Sequence, residues 1–325
     1  MFSYRILEWI LFFYIYCVFG WVFESTYVSL KSKKPVNRGF LKGPMIPIYG
    51  EGAIMMLIAT YPVRGHIVLE FVMGMVGATL LEYVVGALME TVFKVKYWDY
   101  SNQRFHIKGY ICLSSTICWG FLSVLMAEVI HLPIERAVLS MNETVLFVAV
   151  FVITVIFMID AATSAKDAWD LRIVLIALTK AKEEIASLQH QIKEKKDAIA
   201  EQLSDTKEYI AEQLSDTKEH IAGQLSDTKV HIAEQLADKK GELAEDIHAT
   251  KEYVMQSIKG NISLPEMDKL KGKLEEELGR YQSLVEKVSF SSGRLLRRNP
   301  GATSKRFYEA LENVKEAVES KRKKK

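Results

Sequence analysis

Apolar residues fill the first half of this 325-residue chain in long runs and return in the second half only at fixed spacing. A membrane-crossing helix needs about 20 mostly apolar residues. Five runs meet or approach that length: residues 6–30, 45–61, 67–90, 109–132 and 144–162. The first lacks a basic start and a small-residue cleavage site, so it reads as a retained span rather than a removed signal peptide. The pattern predicts an all-α fold: a polytopic membrane helical bundle of about five spans over residues 1–165.

From Ile199 the period changes. IAEQLSDTKEY, IAEQLSDTKEH, IAGQLSDTKVH, IAEQLADKKGE and LAEDIHATKEY follow in 11-residue steps. Ile199 and Leu203, Ile210 and Leu214, Ile221 and Leu225, Ile232 and Leu236, and Leu243 and Ile247 carry the apolar stripe, with Thr206, Thr217, Thr228 and Thr250 completing the spacing. An 11-residue repeat winds at about 3.67 residues per turn and predicts a straight or slightly right-handed coiled coil. Leu171, Leu175, Leu178, Ile185, Leu188 and Ile192 show a related spacing, so the fifth span is expected to continue into a stalk over residues 166–260. Such repeats also occur in helices lying on membranes, but those need a broad apolar face. Here the stripe is narrow and Lys207 and its repeats interrupt it. A coiled coil implies self-association; a single exposed helix held by charge pairs is the blander alternative. Gly260, Asn261 and Pro265 should break the stalk. Two shorter helices, about 266–288 and 305–320, are expected in a third region, residues 261–325, around a basic, loop-like stretch at 289–306.

One stretch of the first half breaks the helical pattern. Residues 37–52, NRGFLKGPMIPIYGEG, mix apolar and aromatic side chains with Gly39, Gly43, Gly50, Gly52, Pro44 and Pro47. Non-helical backbone is tolerated at membrane depth only where protein buries it or a cavity receives it. This segment is therefore the expected functional centre, and Pro47, Gly50 and Gly52 interrupt the start of the second span.

Charge sets the orientation. Residues 1–165 hold 12 Lys/Arg and 11 Asp/Glu, whereas residues 166–325 hold 30 and 29. The near-neutral total argues against a nucleic-acid partner. Residues 31–43 carry Lys31, Lys33, Lys34, Arg38 and Lys42 with no acid, and residues 91–108 carry Lys94, Lys96, Arg104 and Lys108 against Asp99. The intervening loops are poor in charge. The positive-inside rule places both basic loops in the cytoplasm. Five spans then put the N-terminus outside and the long C-terminal half inside a bacterial plasma membrane.

Ionisable groups within spans are costly and usually face the protein interior or a water-filled cavity. Glu24, Glu51 and Glu82 fall in the inner halves of their spans, with Glu90 and Asp160 near the inner boundary. The candidate site is an inner cavity built from Glu24, Asn37, Arg38, Gly39, Pro47, Tyr49, Glu51 and Glu82. It would bind a cationic group or carry protons. The structural alternative is ion pairing of Glu24 or Glu51 with Arg38 or Lys42. Glu8, Glu70 and Glu128 read as interfacial. Gly74, Gly77 and Gly86 suggest close helix packing. Cys17, Cys112 and Cys118 are an odd set in apolar runs and read as packing residues, not a disulfide framework. His66, His106 and His131 are isolated, so no metal and no cofactor is expected. Arg294, Arg297, Arg298, Lys305, Arg306, Lys323, Lys324 and Lys325 are candidate contacts for anionic lipid; a solvated tail is the alternative.

Several fragments resemble the bacterial membrane-protein family labelled putative ABC transporter permease, type IV (CmpB-like), over about residues 5–160. They are Gly20-Trp21-Val22-Phe23-Glu24, Asn37-Arg38-Gly39-Phe40-Leu41 with Gly43-Pro44, and Pro47-Ile48-Tyr49-Gly50. Trp98-Asp99-Tyr100-Ser101 and Gly109-Tyr110-Ile111-Cys112-Leu113 continue the series. The resemblance implies a transport role. It departs from typical ABC permeases, which have more spans and a recognisable coupling helix. The chain holds no GxxxxGK[ST] phosphate loop, so the resemblance also implies a separate ATPase partner. The expected function is a permease-like membrane subunit that self-associates through its stalk. The alternatives are a membrane-anchored coiled-coil scaffold and a membrane enzyme acting on lipid head groups, with Glu24 or Glu51 as base and Arg38 holding phosphate.

Overall fold

The computed structural model describes residues 4–226 and 264–323. They fold almost entirely as helices: α1 (Ile6–Ser32), α2 (Pro47–Thr60), α3 (Ile67–Phe93), α4 (Leu113–Leu139), α5 (Glu143–Ser226), α6 (Leu264–Ser291), α7 (Gly293–Arg298) and α8 (Tyr308–Lys323). The described strands are a two-residue pair, His106–Ile107 against Ile111–Cys112, antiparallel with His106 opposite Cys112. Its turn places Lys108 and Gly109 at positive φ.

Four of the five expected spans, α1, α3, α4 and the first part of α5, are helices long and apolar enough to cross a membrane. The second is not: α2 has 14 residues, about 21 Å at 1.5 Å per residue. Pro47 opens it at the first helical position, where its missing N–H costs nothing. Within α4 the turn Met126–Ile130 widens to π geometry. Pro133 follows it and lacks the N–H that would bond back to Val129.

The chain divides into two compact units, Met1–Thr179 with Ser283–Lys325, and Lys180–Gln282. In the first, α1 packs on α2, α2 on α3 and α3 on α4. Its apolar core gathers Leu11, Phe12, Tyr16, Ala53, Leu57, Met126, Val138, Leu146 and Val150. Gly74 lies where an added Cβ would strike the Ser123 side chain, which lets α3 and α4 approach closely. Cys17 and Cys112 are buried and Cys118 is exposed, all three as free thiols. On α5, Ala168, Leu171, Leu175 and Leu178 are almost fully buried. Their steps of three and four residues make one continuous helix face.

In the second unit α6 runs antiparallel to α5. Glu184 pairs with Arg280 at 3.9 Å, and Lys195 pairs with Glu266. Of the residues expected to break the stalk, Pro265 lies at the start of α6; Gly260 and Asn261 lie outside the described residues. Farther along α5 the stripe lies open: Leu203 and Leu214 are exposed. The later repeats, with Thr228, Ile232, Leu236, Leu243, Ile247 and Thr250, also lie outside the described residues.

Candidate functional site

After α1 the chain doubles back along the same helix. Val36 N donates to Ser29 Oγ at 2.9 Å, Arg38 N to Ser25 Oγ at 3.1 Å, and Ile46 N to the Cys17 carbonyl at 3.0 Å. From Ser29 to Cys17 these anchors climb roughly 18 Å of helix. Gly39 makes the descent possible, with φ at +117° and its Cα against the Ile46 side chain. Asp160 on α5 fastens the lower turn, accepting from the backbone N–H groups of Lys42 at 2.9 Å and Gly43 at 2.7 Å. α2 therefore begins halfway along α1. Gly20 and Gly50 open space at that point: a Cβ on Gly20 would overlap Tyr49, and one on Gly50 would meet Cys17 and Phe13. α2 then runs back to the N-terminal end of α1, where Leu57 and Thr60 meet Tyr4 and His131 around a small cavity.

This half-length helix brings a polar core together. Arg38 Nε donates to Glu24 Oε1 at 3.1 Å. Tyr49, one turn into α2, interacts with Glu24 and lies near Arg38 and Glu82, and its ring packs edge-on against Trp119. Glu82 on α3 is buried and takes three donors: Trp119 Nε1 at 2.9 Å, Tyr100 Oη at 3.1 Å and Ser115 Oγ at 3.4 Å. Glu24 thus has a cation, whereas Glu82 is held by neutral groups. A buried carboxylate with neutral donors and no cation beside it can take up a proton or accept a cation.

The C-terminal segment covers this core. Arg298 is buried and donates to the carbonyls of Phe40, at 3.4 Å, and Leu41. Asn299 Nδ2 donates to the Gly39 carbonyl at 3.2 Å. In return Arg38 donates to the Arg298 carbonyl at 3.1 Å and to Asn299 Oδ1 at 3.3 Å. Lys96 and Thr303 exchange backbone hydrogen bonds at 2.8 and 2.9 Å, Thr303 Oγ1 donates to Asp99 Oδ2 at 2.8 Å, and Ser304 Oγ donates to the Lys94 carbonyl at 2.7 Å. The two basic loops thus share one end of the unit and are tied together by residues 298–304. Burial pushes the Arg298 guanidinium down from its ordinary value, and Asp160 and Asp167 oppose that. Burial alone would raise the Asp99 carboxyl, but hydrogen bonds from Ser101 and Thr303, with Lys96 nearby, hold it below the usual carboxylate range.

Residues 11–165 match the family described as Putative ABC-transporter type IV. Over these residues, the membrane half of the chain, the sequence is similar to that family. No curated protein and no solved structure matches the chain.

Within the matched region the structure brings Glu24, Arg38, Tyr49 and Glu82 together, with Gly39 and Pro47 shaping the backbone between them. Asn37 accepts from Trp21 Nε1 at 2.6 Å at the exposed edge. Glu51 is elsewhere: two residues beyond Tyr49, on the opposite face of α2, it lines an apolar groove. Helical rotation of about 100° per residue separates the two side chains. Trp119, Tyr100, Ser115 and Asn299 complete the core or its supports and were not assigned to it from sequence. They are neutral or distant groups with no spacing that ties them to Glu24 or Glu82. Asp160, which fastens the lower turn, stood out as an intramembrane acid.

Among the basic residues expected to meet lipid, Arg294, Arg297, Lys305 and Arg306 are exposed. Arg298 is a correction: its charge is turned inward onto backbone carbonyls. The basic stretch is not a plain loop, because α6 extends to Ser291 and α7 follows. Lys323 ends α8, while Lys324 and Lys325 lie outside the described residues.

Proposed function

We propose that this chain is the permease-like membrane subunit of a transporter that draws its energy from a separate ATPase. Its N-terminus faces outward and its C-terminal half is cytoplasmic. The observation that carries the reading is the broken second crossing. Residues 33–46 and α2 together complete the passage that α2 is too short to make alone, and the helix starts at mid-depth beside the polar core. Broken helices of this kind line substrate and ion sites near the midplane of transporters, because irregular backbone there can serve a solute. Glu82 is the ionisable centre, the Glu24–Arg38 pair sets the local charge, and residues 298–304 close the cytoplasmic side. Arg294, Arg297, Lys305 and Arg306 face anionic lipid. The stalk self-associates through the stripe that includes Leu203 and Leu214, and no nucleic acid is involved.

Purification in mild detergent through a C-terminal tag, with mass spectrometry of the co-purifying chains, tests this. A stoichiometric nucleotide-binding ATPase is expected. A self-oligomer without one contradicts the permease reading. That result favours the second reading, a membrane-anchored scaffold, for which the exposed stripe on α5 is the supporting observation.

A further inference from the structure

Glu51 is the one predicted site carboxylate that the fold separates from the polar core. It stands on the wall of a groove between α1, α2, α3 and α5, with a volume near 570 Å³. Trp9, Phe13 and Tyr14 supply aromatic walls, Leu81 and Met55 aliphatic ones, and Thr154 the far rim. The volume lies in the ordinary range for small-molecule sites, about 300–1,000 Å³.

The polar groups of this groove are unevenly satisfied. Tyr14 Oη donates to Thr154 Oγ1 at 3.0 Å, and Thr154 Oγ1 donates to the Val150 carbonyl at 2.6 Å. These two hydroxyls are engaged with each other and with backbone. Glu51 has no hydrogen-bonding or ion-pairing side chain among the described residues and stands exposed on the groove wall. Its neighbours Ile10, Phe13 and Tyr14 lie one to two turns inside the N-terminal end of α1. An acid at such depth is costly unless something compensates its charge.

We propose that the groove binds a lipophilic organic cation, with the charged centre at Glu51 and the hydrocarbon body against the aromatic walls. Charge complementarity selects the sign, because Glu51 is the groove's one charged side chain among the described residues. Trp, Phe and Tyr rings attract a cation over their faces and accept its apolar substituents equally well. A bare inorganic ion is disfavoured, since one carboxylate among hydrocarbon cannot replace its hydration shell. An anion meets like charge. The site is separate from the Glu24–Arg38–Glu82 core and does not depend on the role proposed for that core.

The test is equilibrium binding of radiolabelled tetraphenylphosphonium to the full-length protein purified in non-ionic detergent. Saturable binding near one per chain is expected, and tetraphenylborate, of the same shape and opposite charge, should not bind saturably. Glu51→Gln should weaken tetraphenylphosphonium binding roughly tenfold or more. Glu51→Asp, which keeps the charge, should retain most of it and guards against a misfolded Glu51→Gln protein. Leu81→Trp should fill the groove and block binding with Glu51 intact. Absence of saturable binding, equal binding of the borate, or unchanged affinity in Glu51→Gln would each overturn the proposal. So would loss in Glu82→Gln with Glu51→Gln unaffected, which would move the cation to the inner core.

Discussion

Asn299 crosses 260 positions of chain to donate from Nδ2 to the Gly39 carbonyl at 3.2 Å. Its Oδ1 accepts from Arg38 at 3.3 Å. The side-chain amide thus reads both the backbone and the cation of the segment between α1 and α2. Arg298 beside it satisfies the next two carbonyls.

Removing these donors leaves carbonyls without partners, at about 1–3 kcal/mol for each buried group. Arg298→Ala and Asn299→Ala should therefore free residues 292–304 while the helices of residues 6–165 stay folded. Hydrogen exchange should rise at 36–46 and 292–304, and trypsin should cut faster at Arg297 and Lys305. Unchanged exchange in both variants would show that the contacts do not hold the segment.

Asp99 gives this closure a pH dependence. Its carboxyl is held below the usual range when Thr303 and Ser101 donate to it. A depressed carboxylate contributes stability that is fully present above its unfolded value, about 3.9, and is lost as pH falls through the lower folded value. Docking of residues 298–304, read by protease accessibility, should be flat from pH 8 to 5 and weaken below about pH 4. Asp99→Asn should remove most of that acid dependence.

Gly50 and Gly52 should respond in opposite ways. A side chain on Gly50 strikes Cys17 and Phe13, whereas one on Gly52 meets nothing within 4 Å. Gly50→Leu should destabilise by about 1–3 kcal/mol or more through overpacking. Gly52→Ala should be neutral or stabilising by up to about 1 kcal/mol, the helix-propensity difference. Thermal unfolding in detergent distinguishes them.

Glu24 and Arg38 are both largely shielded, with side-chain exposures of 26% and 14%. Breaking a buried pair from one side costs about 3–5 kcal/mol because the other charge is left uncompensated. Glu24→Gln alone should lower thermal stability more than Glu24→Gln with Arg38→Gln. Equal loss in single and double variants would mean that the pair is not coupled.

Much of the frame was readable in advance. The glycines and prolines of residues 37–52 marked non-helical backbone, and α2 opens only at Pro47. The acids Glu24 and Glu82 marked the core. Glu51 did not separate from them in the sequence, because its direction depends on where α2 begins relative to α1, which Gly20 and Gly50 set by contact rather than by pattern. The docking of Arg298 and Asn299 left no trace either. Their partners are backbone carbonyls, and any residue supplies one of those. A charged Arg-rich stretch looks the same whether its guanidinium meets water, lipid or a carbonyl.

The most direct test of the account is cysteine accessibility across the broken crossing. In a background with Cys17, Cys112 and Cys118 replaced, single cysteines go to Lys34, His66 and Ser140, all exposed. A membrane-impermeant maleimide applied to intact cells should label His66→Cys and Ser140→Cys and reach Lys34→Cys only after permeabilisation. Labelling of Lys34→Cys and His66→Cys from the same side would mean that residues 33–46 and α2 do not complete a crossing, and would contradict the account.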